Sequence, residues 1–514
     1  MKRLDRKRSL LNVSVSIFFK LILFFGAIFH RRILIQCVGN EINGLHSLYS
    51  GLLNVLSVAE LGIGSAIIYC MYKPIVEGDK SKTAALYQLF QKIYRVIGLA
   101  IFAAGVALMP ALPYLASDYS SPDVNIYLAF LLTLVTVLLS YLFSAKLSLI
   151  NAYKDNYITT AISSCCQILQ YAVQIAVLLL TKSYIWFLVC AIPITLVHWT
   201  VTEVVTRKRH QDIVSYPGQT LDPATKQEVV RNTKAMFVHR LGSILVNSTD
   251  SVIISAFVGV VLLGKYTNYT TIVIGMNTLI ILFFSPLTSV IGHAYVAEKD
   301  QIQRYYHFFH TFNFAIGILF YLGYYAIIDN LVVILFGEGL ELTRAVSFVI
   351  TVNYFVQFVR QVNLLFRDAT GTFYQDRFKP LVEGFVNVVL SIACVILFAK
   401  WFGEEFGVVG VIAATIVTSL LICHVIEPFI LYKHVFHASV KRPMLKNYLY
   451  ITLFVMTLIL MDQCMVSIDR VWLELLVNGC ISVIFSSVLI LALLAVDKDF
   501  RYYVRRFLQR KRHP

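Results

Sequence analysis

Apolar runs of membrane-spanning length follow one another along this chain from about residue 12 to residue 496, separated by short polar breaks. An α-helix rises about 1.5 Å per residue, so about 20 apolar residues carry it across a hydrocarbon core about 30 Å thick. The pattern predicts fourteen such helices, near 12–38, 45–70, 93–115, 126–150, 158–180, 185–205, 235–258, 268–293, 309–335, 345–366, 380–400, 408–432, 447–466 and 471–496. The fold class expected is therefore an all-α polytopic membrane protein.

Composition agrees with the pattern. Hydrophobic residues make up 58% of the 514, charged residues only 14%, and the mean hydropathy is +0.73. Water-facing domains average about 25% charged, too many for this chain to clothe a soluble surface. The first twelve residues are basic (Lys2, Arg3, Arg6, Lys7, Arg8), as in a secretion signal. The apolar run after them is interrupted by Lys20, Arg31 and Arg32 and lacks a small-residue cleavage site, which predicts a retained first helix. Nine cysteines show no metal spacing and no CxxC, and most lie in apolar runs, where they act as small apolar filler.

Charge gives an independent test of the helix map. With the N-terminus on the cytoplasmic side, 32 of the 44 Lys and Arg residues fall on inside segments, 4 on outside loops and eight within spans. That asymmetry is the positive-inside rule, and it predicts an even helix number with both termini cytoplasmic. It also accounts for the +15 net charge without any nucleic acid as partner. A comparison of the chain with itself at an offset of 220 places Gly39, Gly44 and Tyr49 on Gly259, Gly264 and Tyr269. One residue further, Glu77-Gly78-Asp79 meets Glu298-Lys299-Asp300, and Asp155-Asn156-Tyr157 meets Asp376-Arg377-Phe378. The expected organisation is a six-helix bundle over 1–205, a cytoplasmic linker over 206–234, and a second six-helix bundle over 235–432. Two extra helices with a basic tail complete the chain over 433–514. Six helices per half keep both halves in one orientation, a parallel repeat of the kind transporters use.

The stretch Arg32–Pro74, RILIQCVGNEINGLHSLYSGLLNVLSVAELGIGSAIIYCMYKP, carries GNEINGL, LSVAELGIGSAI and a following YKP. With NSTDSVIISAFVG (Asn247–Gly259) and FRDATGTFYQDRFKPLVEGFVN (Phe366–Asn387), it resembles the polysaccharide-export flippases (Wzx-like) of the multidrug/oligosaccharidyl-lipid/polysaccharide (MOP) exporter superfamily. The resemblance runs through most of residues 12–432. It implies two six-helix bundles facing one another across a central cavity. It further implies a bacterial inner membrane and transfer of a lipid-linked oligosaccharide, carried on undecaprenyl diphosphate, to the outer leaflet for surface polysaccharide biosynthesis. A polysaccharide polymerase or other assembly protein is the partner such a system would have.

Charges inside spans are costly and normally face a cavity or a partner. On the first helix Lys20 and Arg31 share a face, with Arg32 beside them. On the seventh, Arg240, Ser243, Asn247 and Asp250 form one polar stripe; on the tenth, Asn353, Gln357, Arg360 and Arg367 form another. Ser50, Asn54, Ser57 and Gly64 mark one face of the second, with Glu60 close by. Lys20, Arg31, Arg32, Arg240, Asn247, Asn353, Gln357 and Arg360 are the substrate-binding candidates, because the guanidinium fork matches diphosphate oxygens. For Arg31, Arg32 and Arg240 the alternative is snorkelling from helix ends to the headgroups. Glu60 and Asp250 are candidates for ion coupling or for charge pairing. Arg367, Asp368, Asp376, Arg377 and Lys379 belong to a loop read either as a gate or as a rigid connector.

No ATP-binding loop, GxSxG or HExxH occurs, and the histidines are scattered, so the sequence predicts a transporter without cofactor or metal. A cation-coupled drug antiporter of the same superfamily would favour acids in the cavity, whereas basic residues dominate the spans. A membrane polymerase or ligase would need a catalytic outer loop; the longest, near 116–125, holds no Lys, Arg or His. The C-terminal run Arg501–Arg512 is expected to lie against anionic headgroups.

Overall fold

Within lipid a backbone N–H or C=O has no water to bind, so a spanning segment must satisfy its own hydrogen bonds. The chain meets this with helix throughout. In the computed structural model 88% of the chain is helical, and no strand occurs among the described residues, which are 2–57, 63–217, 221, 223, 227, 248–284, 287–372 and 374–510.

The helices are α1 (Lys2–Val38), α2 (Asn40–Leu56), α3 (Ile63–Glu77), α4 (Lys80–Leu108), α5 (Ile126–Ala152), α6 (Asn156–Thr181), α7 (Tyr184–Val189) and α8 (Ala191–Val214). From Ser248 onward come α9 (Thr249–Phe257), α10 (Val260–Phe284), α11 (Leu287–Ala297), α12 (Ile302–Phe336), α13 (Arg344–Val359) and α14 (Gln361–Thr370). The last group is α15 (Lys379–Phe402), α16 (Glu404–Thr418), α17 (His424–Leu431), α18 (Lys441–Cys464), α19 (Val471–Val496) and α20 (Lys498–Arg510).

Among the described residues eleven helical stretches are long and apolar enough to cross a membrane, and each coincides with an expected span. The other three expected spans, 45–70, 235–258 and 268–293, run through residues outside the described ones. Leu180, Phe385, Val483 and Leu491 are all exposed on these helices. Apolar surface on that scale suits lipid and is rare on soluble monomers.

Helix starts lie where capping chemistry puts them, and this moves some expected boundaries. The span expected from residue 93 begins at Lys80, because the Asp79 carboxylate accepts the Lys82 N–H at 2.8 Å. Asn125 caps α5 in the same way, accepting from Tyr127 and Leu128 at 3.0 and 3.1 Å. In the stretch expected as linker from residue 206, helix runs on to Val214 with a kink at buried His210, which stacks on Tyr153 at 4.2 Å, and Asp212 pairs with Lys80 at 2.9 Å.

The chain divides into two compact units, Met1–Gly264 and Lys265–Pro514. In the first, α1 packs along α6, and α4 packs on α3 and α5 around Phe90, Tyr94, Tyr141 and Leu149. Two repeat-equivalent helix starts also meet within this unit. Gly39 (φ +89) and Gly259 (φ +116) precede α2 and α10 in a backbone conformation other residues rarely adopt. One turn on, Gly44 and Gly264 let the backbones touch: a Cβ at Gly44 would lie 1.8 Å from the Val260 carbonyl oxygen, and one at Gly264 would lie 2.6 Å from that of Asn40. Asn40 and Asn43 seal the crossing by donating to the carbonyls of Val261 and Gly264 at 2.9 and 3.2 Å.

In the second unit α15 packs on α16, and α12 on α13 and α19. The helices beyond the repeat are integral to this unit. Phe454 of α18 stacks on Phe355 with ring centroids 3.5 Å apart, and Tyr450 stacks on Phe314 at 4.4 Å.

Candidate functional site

The chemistry of the second unit is concentrated in one buried ionic network. Gln357 and Arg360 close α13, Arg367 and Asp368 sit in the last turn of α14, and Asp376 lies in the turn before α15. Lys379 and Glu383 open α15, and Glu427 comes from α17. Two π-helical turns, Ser419–Cys423 and Tyr432–Phe436, flank α17, which also contains Pro428. Such turns re-aim a helix locally, and here Glu427 lies between them, directed at Arg360.

Arg360, 7% exposed, donates from Nη1 to Gln357 at 2.7 Å and to Glu383 at 3.1 Å, and from Nη2 to Glu427 at 2.7 Å. Buried Lys379 pairs with the same Glu427 oxygen and lies 3.7 Å from Asp376. Arg367 completes the chain, 2.9 Å from both Asp376 and Asp368. Pairing is what allows these charges to be buried, since an isolated ion would lose its hydration with nothing in return; one oxygen each of Glu427 and Asp376 still has no hydrogen-bond partner among the described residues. A polar relay extends from it. His424 hydrogen-bonds the Val356 carbonyl at 3.2 Å and Asn447 of α18 at 2.8 Å, and Asn447 reaches His310 at 3.1 Å.

The structure thus brings Gln357, Arg360, Arg367, Asp368, Asp376 and Lys379 together. Arg377 stands apart, half-buried, with its guanidinium over Tyr374 at 3.7 Å. Asn353, one turn before Gln357, is buried, and its side-chain oxygen has no hydrogen-bond partner among the described residues. Glu383 and Glu427, both indispensable to the network, were not singled out from sequence. The available signal was an acid inside an apolar run, in PLVEGF and HVIEPF.

In the first unit Lys20 is exposed on α1, and Arg31 and Arg32 are half-buried. Arg31 lies within electrostatic reach of Tyr171, on which His30 stacks at 4.6 Å while hydrogen-bonding Gln174 at 3.0 Å. Asp250, in the first turn of α9, is half-buried, and its Oδ1 has no partner among the described residues. Arg240, Asn247 and Glu60 lie outside the described residues. An unanticipated pair links α5 to α8, where buried Lys146 meets Glu203, which also holds Arg207 at 2.5 Å.

No family model and no curated protein sequence matches the chain. Solved structures do. An inward-facing multidrug resistance MATE family transporter of the MOP superfamily superposes with a TM-score of 0.61 at 13% identity, covering 86% of this chain and 98% of its own. The lipid II flippase MurJ, in an inward closed conformation, gives 0.60 at 14% identity, over 94% of this chain and 99% of its own. A MOP superfamily transporter from Pyrococcus furiosus, described as having a binding pocket of reverse polarity, gives 0.52 at 12% identity over 88% and 96%. The fold is the one these transporters share.

Proposed function

We propose that the protein is a flippase that carries a lipid-linked oligosaccharide, on a polyprenyl diphosphate, from the cytoplasmic to the outer leaflet by alternating access. The observation that carries this reading is the disposition of charge. In the second unit the intramembrane acids Glu383 and Glu427 are engaged by Arg360 and Lys379. They are thereby withheld from a cationic substrate. The first helix, by contrast, brings Lys20, Arg31 and Arg32, the residue types that suit a diphosphate. We assign the headgroup to Arg31 and Arg32, together with Arg240 and Asn247, and assign Arg360 and Gln357 to holding the second unit together. The fold shared with a lipid II flippase over nearly the whole chain supports the same reading. In this assignment Arg367, Asp368, Asp376, Arg377 and Lys379 lie on the cytoplasmic side, in the bacterial inner membrane.

A second reading, cation-coupled efflux, is favoured by one feature, the unpartnered Asp250 oxygen, and by the MATE fold. Depleting the protein in its native cell and locating the lipid-linked pool separates the two. Accumulation on the cytoplasmic leaflet with loss of surface polymer is expected. An unchanged pool with altered drug sensitivity would establish efflux instead.

A further inference from the structure

The polar face of α2, on which Ser50 and Asn54 are exposed, opens onto a cavity and makes no charge pair among the described residues. Ser50, Asn54 and Ser57 face Ser140, Tyr141 and Ser144 of α5 across a cavity of about 410 Å³, with Leu53 and Val137 completing its wall. All eight residues belong to the first unit, and Ser140 and Ser144 fall near the middle of α5, a membrane-length helix. Polar groups at that depth are tolerated where they line a cavity, and transporter substrate sites lie near the bilayer midplane. The volume is that of a small-molecule pocket, which runs to about 300–1,000 Å³.

The hydrogen bonds inside the wall determine what it presents. Ser50, Ser57, Ser140 and Ser144 each donate to a carbonyl of their own helix, those of His46, Leu53, Val137 and Ser140, at 2.7–3.0 Å. The Tyr141 hydroxyl donates to the Ser57 oxygen at 3.4 Å. With the serine hydrogens so committed, the serine oxygens offer lone pairs to a ligand. Asn54, exposed, adds an amide able to donate and to accept. Among the described residues no Asp, Glu, Lys, Arg or His lines the cavity, so the wall they form is neutral. Its complement is a neutral molecule dense in O–H and N–H donors that also carries acceptors.

We propose that this cavity binds an uncharged sugar residue of the transported oligosaccharide, apart from the residues that take the diphosphate. The assignment rests on the flippase reading and gives it a substrate class, neutral hexoses or acetamido-hexoses. The first sugars are recognised through hydroxyls, and the sugar head is accepted or refused by the α2–α5 wall.

The test uses full-length protein in lipid nanodiscs and the host's own oligosaccharide, released from its carrier by mild acid so that lipid and diphosphate are absent. Saturation-transfer NMR of the sugar protons reports binding. Wild-type protein is expected to give transfer, and Asn54→Leu and the Ser140→Val/Ser144→Val pair should each weaken binding about fivefold for each hydrogen bond lost. Asn54 is exposed, so its variant remains decisive should the serine pair disturb packing. No transfer to wild type, or equal transfer to wild type and Asn54→Leu, overturns the proposal. The depletion experiment keeps the two failures apart. An unchanged lipid-linked pool removes the flippase reading and this assignment with it, whereas a mislocalised pool with unaltered sugar binding in the variants removes the sugar cavity alone.

Discussion

The polar interior takes opposite forms in two regions of the molecule. Around Arg360 every element contributes a charge, and the charges close on one another. In the cavity between α2 and α5 no charged side chain lines the wall among the described residues, and the polar groups face open space. Both depart from an apolar core at membrane depth, yet they answer different demands. A buried ion must be paired or it destabilises the fold, so a charged cluster tends to become a bolt. A hydroxyl can satisfy its single hydrogen on its own helix and still accept from a ligand, so a serine face can remain open without cost to the backbone. The difference teaches that intramembrane charge is not by itself a mark of the transport path; the mark is polar capacity left over after internal pairing.

The largest effect expected is at the bolt. Arg360→Met leaves Glu383 and Glu427 without their main partner, and breaking a buried pair from one side typically costs about 3–5 kcal/mol. Thermal unfolding of the purified protein should show a loss on that scale. Arg360→Glu, which would crowd three carboxylates together, should fail to accumulate. A triple replacement of Arg360, Glu383 and Glu427 by apolar residues of similar size should recover much of the loss. Arg360→Met with unaltered stability and abolished transport would break the comparison, because the network would then be a site.

The next effect concerns what holds the open region. Among the described residues no ion pair fixes the α2 wall; the backbone contact at Gly44 does, one and a half turns before Ser50. Gly44→Ala drives a methyl group into the Val260 carbonyl 1.8 Å away, and overpacking of this kind costs about 1–3 kcal/mol. The same variant should lower transport beyond its loss of protein, since the cavity wall moves with α2. Gly323→Ala, where the nearest atom is 3.9 Å away, is the matched control and should be silent in both assays.

How far these regions were legible in the sequence follows from the range of their interactions. The spanning helices were readable because lipid dictates their length and apolarity locally. Gly39, Gly44 and Tyr49 announced the repeat because each answers a requirement that recurs in both halves: Tyr49 and Tyr269 are both fully buried, the first donating to the Ile126 carbonyl and the second to Asp329. The ionic network was half readable. Arg360 and Gln357 share a helix face, but Glu383 and Glu427 lie 23 and 67 residues further on, and no periodicity along one helix reports them. The cavity was half readable for the same reason. Ser50, Asn54 and Ser57 stand out as a stripe on α2, and Ser140 and Ser144 lie one turn apart on α5, but no periodicity along either helix reports that the two stripes face one another.

A smaller effect is expected where charge meets the membrane surface. Burial opposes ionisation of Asp497, just beyond the end of α19, but Lys446, the Phe500 N–H and Thr311 prevail and hold its carboxyl down at about 2. A carboxyl depressed from its usual value of about 4 stabilises above that value and loses the contribution as the pH falls toward its folded pKa. Pepsin cleavage within α20 should therefore rise as the pH drops from about 4 to about 2. Asp497→Asn should already be susceptible at the upper end of that window. Equal cleavage of both proteins across the window would show that α20 is held by its aromatic contacts, such as Phe308 on Tyr503 at 4.9 Å.

The smallest effect is the one that defines the open region. Ser144 donates its hydroxyl hydrogen to the Ser140 carbonyl at 3.0 Å, an oxygen that also sits in the helix hydrogen-bond ladder. Bonds of that kind add little to a helix and often bend it slightly. Ser144→Ala should therefore change unfolding stability by no more than about 0.5 kcal/mol, the ordinary range away from packed or ionic features. If the cavity is open polar surface, stability and transport separate in this variant: the protein melts as wild type while export of the oligosaccharide slows. A loss of stability above about 1 kcal/mol would instead place Ser144 in the same category as Arg360, a polar group whose partners are all internal. The α2–α5 wall would then be a seam in the first unit, and the distinction between bolt and open surface would have to be drawn elsewhere in the chain.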